Sequence, residues 1–306
     1  MKRLILIALA TLWLAPPAFG SPVERLCDMT YGWKTLTIQG TSLRARTLGS
    51  GPPLMMLPSL GRGPDDFNAL AKAVKGRTVI LFEPRWFSTS DGPQDIDLFA
   101  IADDAALVLD QLCPGQAADV IGHAFGNRVA RTLAASHPEK VRRLLLFASG
   151  GQTPIPPDVG AAILGSTEQG EKPDAARLAD ISLAFFAKGH DPKVWLYGWS
   201  ARAARLQQAA LRRTAASDWQ TAGTAEILVV QADEDPVAPI SNALALQARA
   251  PDRVKIVNLR HASHAMLPEQ PKALAALTNA FLAGETDQTR LQAILDKAVV
   301  VPIDAR

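Results

Sequence analysis

Three short segments of the chain carry residues able to do acyl or acid–base chemistry. Gly122-His123-Ala124-Phe125-Gly126 follows the apolar run Ala118-Asp119-Val120-Ile121 and opens a helical stretch. A glycine-flanked turn between a strand and a helix holds its middle side chain in the open, where a nucleophile can meet a carbonyl. The middle residue is Ala124, and a methyl group cannot be deprotonated, attack a carbonyl or hold an acyl group. Further on, Gln231-Ala232-Asp233-Glu234-Asp235-Pro236-Val237-Ala238-Pro239 supplies carboxylates, and Ala262-Ser263-His264-Ala265-Met266-Leu267-Pro268 supplies an imidazole. An imidazole oriented by a carboxylate is a general base near neutral pH.

Segments so far apart in sequence need a framework to bring them together. Pro53 to Pro58, Thr78 to Phe82, Ala118 to Ile121, Val141 to Ala148, Ala225 to Val230 and Val254 to Leu259 are short apolar runs bounded by turn residues, the pattern of strands covered on both faces. Leu98 to Leu112, Arg128 to Ser136 and Pro271 to Leu282 lie between or after them with helical spacing. This alternation predicts an α/β fold: a mostly parallel twisted sheet with helices on both faces. Lys34 to Leu48, alternating around Gly40, predicts a hairpin at the sheet edge. Ligands bind at the carboxyl ends of such strands, where the turns holding Gly61 and Ala124 fall.

After Gly150-Gly151 the rhythm changes. Pro154, Pro156 and Pro157 introduce helical pattern, roughly 173–189 and 192–219, with no strand signal, predicting an inserted helical cap. Its Phe185, Phe186, Trp195, Trp199 and Trp219 either line an apolar pocket or pack the cap onto the core. The chain thus divides into a signal peptide (1–20), two parts of the core (21–150 and 223–283) separated by the cap (151–222), and a C-terminal tail (284–306).

At 306 residues the chain is long enough for one large domain with an insertion. Its 32 basic and 30 acidic residues, net +2, create no field that would draw in nucleic acid or anionic lipid. A small, roughly neutral ligand is the expected partner, and no metal or cofactor is implied. Lys2-Arg3, the apolar run from Leu4 to Leu14 and the small residues around Gly20/Ser21 read as a cleaved export signal. The mature protein is then expected in the periplasm or outside the cell, without stable membrane insertion. Cys27 and Cys113 either pair there or remain two buried thiols.

With strands and helices between them, the turn at Gly122 to Gly126, the acid loop and the histidine loop follow one another in a familiar order. The chain resembles the α/β-hydrolase superfamily across about Leu36 to Leu282. The resemblance implies that Asp235, or secondarily Asp233, orients His264, and that Ala124 stands at the nucleophile position. It also implies that the backbone N–H groups of Phe125 and Leu60 form an oxyanion hole, although Pro58-Ser59 replaces the usual His-Gly pair there. Backbone donors do not depend on a side chain and can outlast the loss of the serine. Ser59, Ser88, Ser90 and Ser149 lie on other turns, Ser59 nearest the site; His123 is expected to be structural, and His261 a packing or surface residue. Three readings follow: base or water-mediated chemistry by a His264–Asp235 dyad, a ligand-binding protein that has abandoned turnover, or a serine esterase whose nucleophile has been replaced by alanine.

Overall fold

The computed structural model describes residues 27–302 apart from 31, 39 and 152. The expected signal peptide lies outside the described residues.

The strands are β1 (Lys34–Ile38), β2 (Thr41–Gly49), β3 (Pro53–Leu57), β4 (Thr78–Phe82), β5 (Ala118–His123), β6 (Val141–Phe147), β7 (Glu226–Ala232) and β8 (Val254–Leu259), in one sheet of order β1-β2-β4-β3-β5-β6-β7-β8. The β1–β2 hairpin pairs antiparallel with itself and with β4, and all later neighbours are parallel. Every residue of β3, β4 and β5 is buried, because helices cover both faces and the side chains alternate between two layers. Met55 and Leu57 pack with Leu109 and Leu133 of α2 (Leu98–Leu112) and α3 (Phe125–Ser136). Leu54 and Met56 pack on the opposite face with Leu70 of α1 (Asn68–Ala73) and with Leu274 and Leu277 of a C-terminal helix, Pro271–Leu282.

Between β6 and β7 the chain forms α4 (Pro157–Thr167), α5 (Asp174–Phe185) and α6 (Ala201–Arg212). The expected helical run over 192–219 is broken. A 3-10 turn at Pro192–Trp195, a left-handed Gly198 (φ 84°) and the cap formed by Ser200 Oγ accepting from Ala203 N–H at 3.1 Å restart the chain as α6. Trp219 falls outside that helix, in a turn after a second 3-10 segment. After β7 come α7 (Ile240–Arg249), a short α8 (Met266–Glu269), α9 (Pro271–Leu282) and α10 (Gln288–Ala298).

The C-terminal tail acquires a role in this arrangement. Leu291 and Leu295 of α10 are fully buried against α9 and the sheet. Gln292 accepts from Asn258 N–H at 2.8 Å and donates to Asn258 C=O at 2.9 Å, and Gln288 accepts from Ile256 N–H at 3.3 Å. The side-chain amides thereby occupy the open backbone edge of β8. At the other end of the domain Cys27 and Cys113 are joined as a disulfide, with Cα atoms 4.2 Å apart. None of the helices among the described residues is long and apolar enough to cross a membrane.

Candidate active site

The turn from β5 into α3 is built by close approach. Ala124 takes φ 51°, ψ −108°, a backbone conformation that favours glycine and that costs a residue with a Cβ about 1–3 kcal/mol. Asn127 and His123 flank it as fixed posts: Asn127 Nδ2 donates to Ala124 C=O and, at 3.2 Å, to Ala148 C=O. A Cβ on Gly122 would stand 2.5 Å from Asn127 Cα, and one on Gly126 would strike the backbone of Leu57 and Pro58. Glycine is required at both positions so that β3 and α3 can pack against the turn. Among the described residues, neither Phe125 N–H nor Leu60 N–H has a partner within the chain, whereas Gly61 N–H is bound by Gln207 Oε1 at 2.8 Å.

His264 and Asp235 meet across two loops at the carboxyl ends of β7 and β8. His264 Nδ1 lies 3.1 and 3.0 Å from the two oxygens of Asp235, and both side chains are buried. Asp235 Oδ1 also accepts from Val237 N–H at 2.9 Å and Ala238 N–H at 2.8 Å, an aspartate turn that fixes the carboxylate before it meets the ring. Asp233 is exposed and stands apart from the histidine. With Nδ1 engaged, Nε2 is the ring nitrogen without a partner among the described residues, and His264 lines the same cavity as Ala124. No hydroxyl among the described residues is bonded to the imidazole. Ser59 reaches the cavity wall, Ser88 is exposed, Ser90 Oγ accepts from Arg44 N–H, and Ser149 is buried outside the lining.

The histidine loop is held from three sides, by His123 in the structural role expected of it and by partners the sequence did not reveal. His123 Nε2 donates to His264 C=O at 2.8 Å, Ala265 N–H donates to Phe185 C=O at 2.8 Å, and Glu269 accepts from Ser263 N–H and from Ala187 N–H, each at 2.7 Å. The bonds to Phe185 and from Ala187 tie the inserted segment to the loop that carries His264. Arg62 makes a second tie. Its guanidinium grips Asp66 with two bonds, donates to Tyr197 C=O at 2.9 Å and lies 4.6 Å from the ring centres of both Trp195 and Trp199.

Under these helices lies a cavity of about 370 Å³ at the carboxyl ends of the strands, near the lower end of small-ligand pockets. Its wall is largely apolar. Of the five aromatic residues in question, Phe185 and Trp199 face the cavity, while Phe186, Trp195 and Trp219 pack elsewhere. The described residues include no cluster of three or more His, Cys, Asp or Glu able to hold a metal ion.

Two buried groups make stability depend on pH in opposite directions. Burial, aided by the nearby His264, pushes His123 from 6.5 down to about 3, so the fold keeps it neutral. Its contribution is present above pH 6.5 and is lost as pH falls towards 3. Burial, and then the neighbouring carboxylates of Asp235 and Glu234, push Glu269 from 4.5 up to about 8 against the pull of its two N–H donors. Its contribution is present below pH 4.5 and is lost as pH rises to 8. Between pH 6.5 and 8 Glu269 acts alone, and stability should fall by about 2 kcal/mol at ~1.4 kcal/mol per unit. In urea titrations Glu269→Gln should lower the midpoint overall and flatten that alkaline decline. An unchanged slope in the variant would assign the decline to another group.

The fold and this site define a class: an α/β protein with a cavity at the carboxyl ends of the strands, roofed by inserted helices. The chain belongs to the alpha/beta hydrolase family, whose sequence profile matches residues 54–277. Over 111 residues, 34% of this chain and 38% of the relative, it is 38% identical to a 2-hydroxymuconate semialdehyde hydrolase of Pseudomonas sp. (strain CF600). It is 26% identical over 289 residues, 90% of this chain, to the polyketide synthase ThaQ of Burkholderia thailandensis, of which it spans 13%. The chain thus spans less than two-fifths of either curated relative. Among solved structures, a hydrolase from Pseudomonas aeruginosa PA01 superposes with a TM-score of 0.69 at 20% identity, covering 83% of this chain and 99% of that one. An enol-lactonase from Burkholderia xenovorans LB400 does so with a TM-score of 0.68 at 19% identity, covering 82% and 100%. At these identities the structural likeness shows the fold alone.

Proposed function

We propose that this hydrolase-family protein acts on a small, largely apolar carbonyl or ester-like ligand without a covalent intermediate. His264, oriented by Asp235, is the general base, and the backbone N–H groups of Phe125 and Leu60 hold the oxygen that becomes negative. The observation that carries this reading is the buried His264–Asp235 pair with its open ring nitrogen on the cavity, beside a turn that offers only a methyl group. His264 Nε2 takes a proton from water, the water oxygen adds to the carbonyl carbon, and the charge moves to the carbonyl oxygen at the two N–H groups. Collapse expels the leaving alkoxide, which regains the proton from the imidazolium, so ester and water become acid and alcohol. The local likeness to a protein named as a semialdehyde hydrolase supports a carbonyl-bearing ligand. Export to the periplasm or beyond is part of the proposal, supported by the charged and apolar N-terminal segment and by the bond between Cys27 and Cys113.

A serine-directed fluorophosphonate should leave the protein unlabelled, while hydrolysis of a short-chain ester found by panel screening should fall about 10²–10⁴-fold in His264→Ala, the usual range for loss of a general base. Labelling would place an activated hydroxyl in the cavity and overturn the non-covalent route. Undiminished hydrolysis in the variant would remove the dyad from the chemistry. Ligand-induced stabilisation with no product would favour the alternative that the protein only binds.

A further inference from the structure

We propose that Arg128, backed by Arg131, forms an anion site in the cavity wall, and that the ligand is an organic acid with an apolar body and a terminal carboxylate. Arg128 lies one helical turn beyond Ala124 on α3 and lines the same cavity as Ala124 and His264. Its guanidinium covers Gly150 in the loop after β6, 3.2 Å from where a Cβ would stand. Arg131, one turn further on, is buried and gives its bonds to Asn127 Oδ1 and Gly150 C=O, each at 2.7 Å, and to Gln220 C=O at 3.4 Å. Both guanidiniums approach the Trp219 ring, at 5.9 and 4.7 Å from its centre.

What sets this pair apart is its lack of an acid. Among the described residues the buried Arg62, Arg85 and Arg177 each have one, in Asp66, Asp104 and Asp174. Among the described residues no carboxylate lies within ion-pair distance of Arg128 or Arg131. A buried cation, Arg131, beside a half-buried one, Arg128, without a counter-charge is an unfavourable arrangement that an incoming anion relieves. Burial pulls both below the ordinary arginine value, Arg131 to about 9, in keeping with that missing charge. The planar fork of Arg128 suits a carboxylate, bound through two N–H donors, and the apolar lining around it leaves the rest of the ligand without charge. The ligand is therefore anionic rather than the neutral molecule that the even charge balance of the chain suggests.

The inference deepens the proposed carbonyl chemistry and rests on it only for which end of the ligand faces His264. Its test needs no turnover. Titration calorimetry of the native protein with hexanoate and with hexanamide should show the acid binding at least about tenfold more tightly. Arg128→Met should abolish that preference and Arg128→Lys should retain part of it, with the circular dichroism of each variant confirming its fold. Equal binding of acid and amide by the native protein, no binding of either, or an undiminished preference in Arg128→Met would overturn the proposal. Hydrolysis that is insensitive to His264→Ala, by contrast, would remove the base chemistry and leave the acid preference standing.

Discussion

Ala124→Ser is expected to turn the protein into an ordinary serine esterase, with hydrolysis of short-chain esters rising at least about 10³-fold over the native chain. The substitution adds one oxygen to a Cβ already held at φ 51°, so the strain of the turn is present before the change and stability should hardly move. Ala124 is 8% exposed, enough to show that its methyl group faces the cavity rather than a packed neighbour. The other requirements are in place: an imidazole whose Nδ1 is bound 3.0 Å from a carboxylate, and two N–H groups at the turns without a partner among the described residues. In the serine background, Asp235→Asn should remove about 10⁴-fold, because an amide stabilises the wrong tautomer of the ring. A folded Ala124→Ser that stays silent, with a melting temperature equal to the parent's, would mean that the imidazole and residue 124 are out of register.

The second large effect concerns stability. The Cys27–Cys113 bond closes a loop with a sequence separation of 86, and the chain-entropy model assigns such a loop about 4–5 kcal/mol at 25 °C. Replacing both cysteines with serine should lower the melting temperature by roughly 10 °C, and reducing agent should lower that of the native protein similarly. Because Asp28 N–H donates to Leu112 C=O at 2.6 Å beside the bond, loss of the bridge is expected first to loosen the N-terminal arm. Identical melts in oxidised and reduced buffer would show that the bridge contributes nothing.

The sheet was legible because its strands are compositionally plain. Thr78 to Phe82 and Val254 to Leu259 are apolar runs cut off by turn residues, and the structure forms strands over those residues. Leu98 to Leu112 and Pro271 to Leu282 were equally clear from their period. The inserted helices were less so. α4 carries Gly160, Gly165, Ser166 and Thr167, which blur helical periodicity, and Gly165 is there because Asp180 of α5 packs directly over it. The family resemblance already ranks Asp235 ahead of Asp233, and it is Asp235 that bonds the imidazole. The residues holding the site together left no such mark. Glu269 bonds Ala187 and Arg62 bonds Tyr197 at separations of 82 and 135 residues, partnerships that only the folded chain creates. Arg128 was hidden for the opposite reason, since its meaning lies in a partner that α3 does not give it.

The two glutamines of α10 have a consequence beyond holding the tail down. A strand at the end of a sheet is a template onto which another polypeptide can add itself, and proteins guard such borders. Here the border at β8 is sealed from within by amides that imitate a neighbouring strand. Growth of the sheet into a dimer or fibre is left to the far border, β1, which is five residues long and begins at the exposed Lys34. Polymerisation through strand exchange is thereby discouraged on both flanks, by mimicry on one and by brevity and charge on the other.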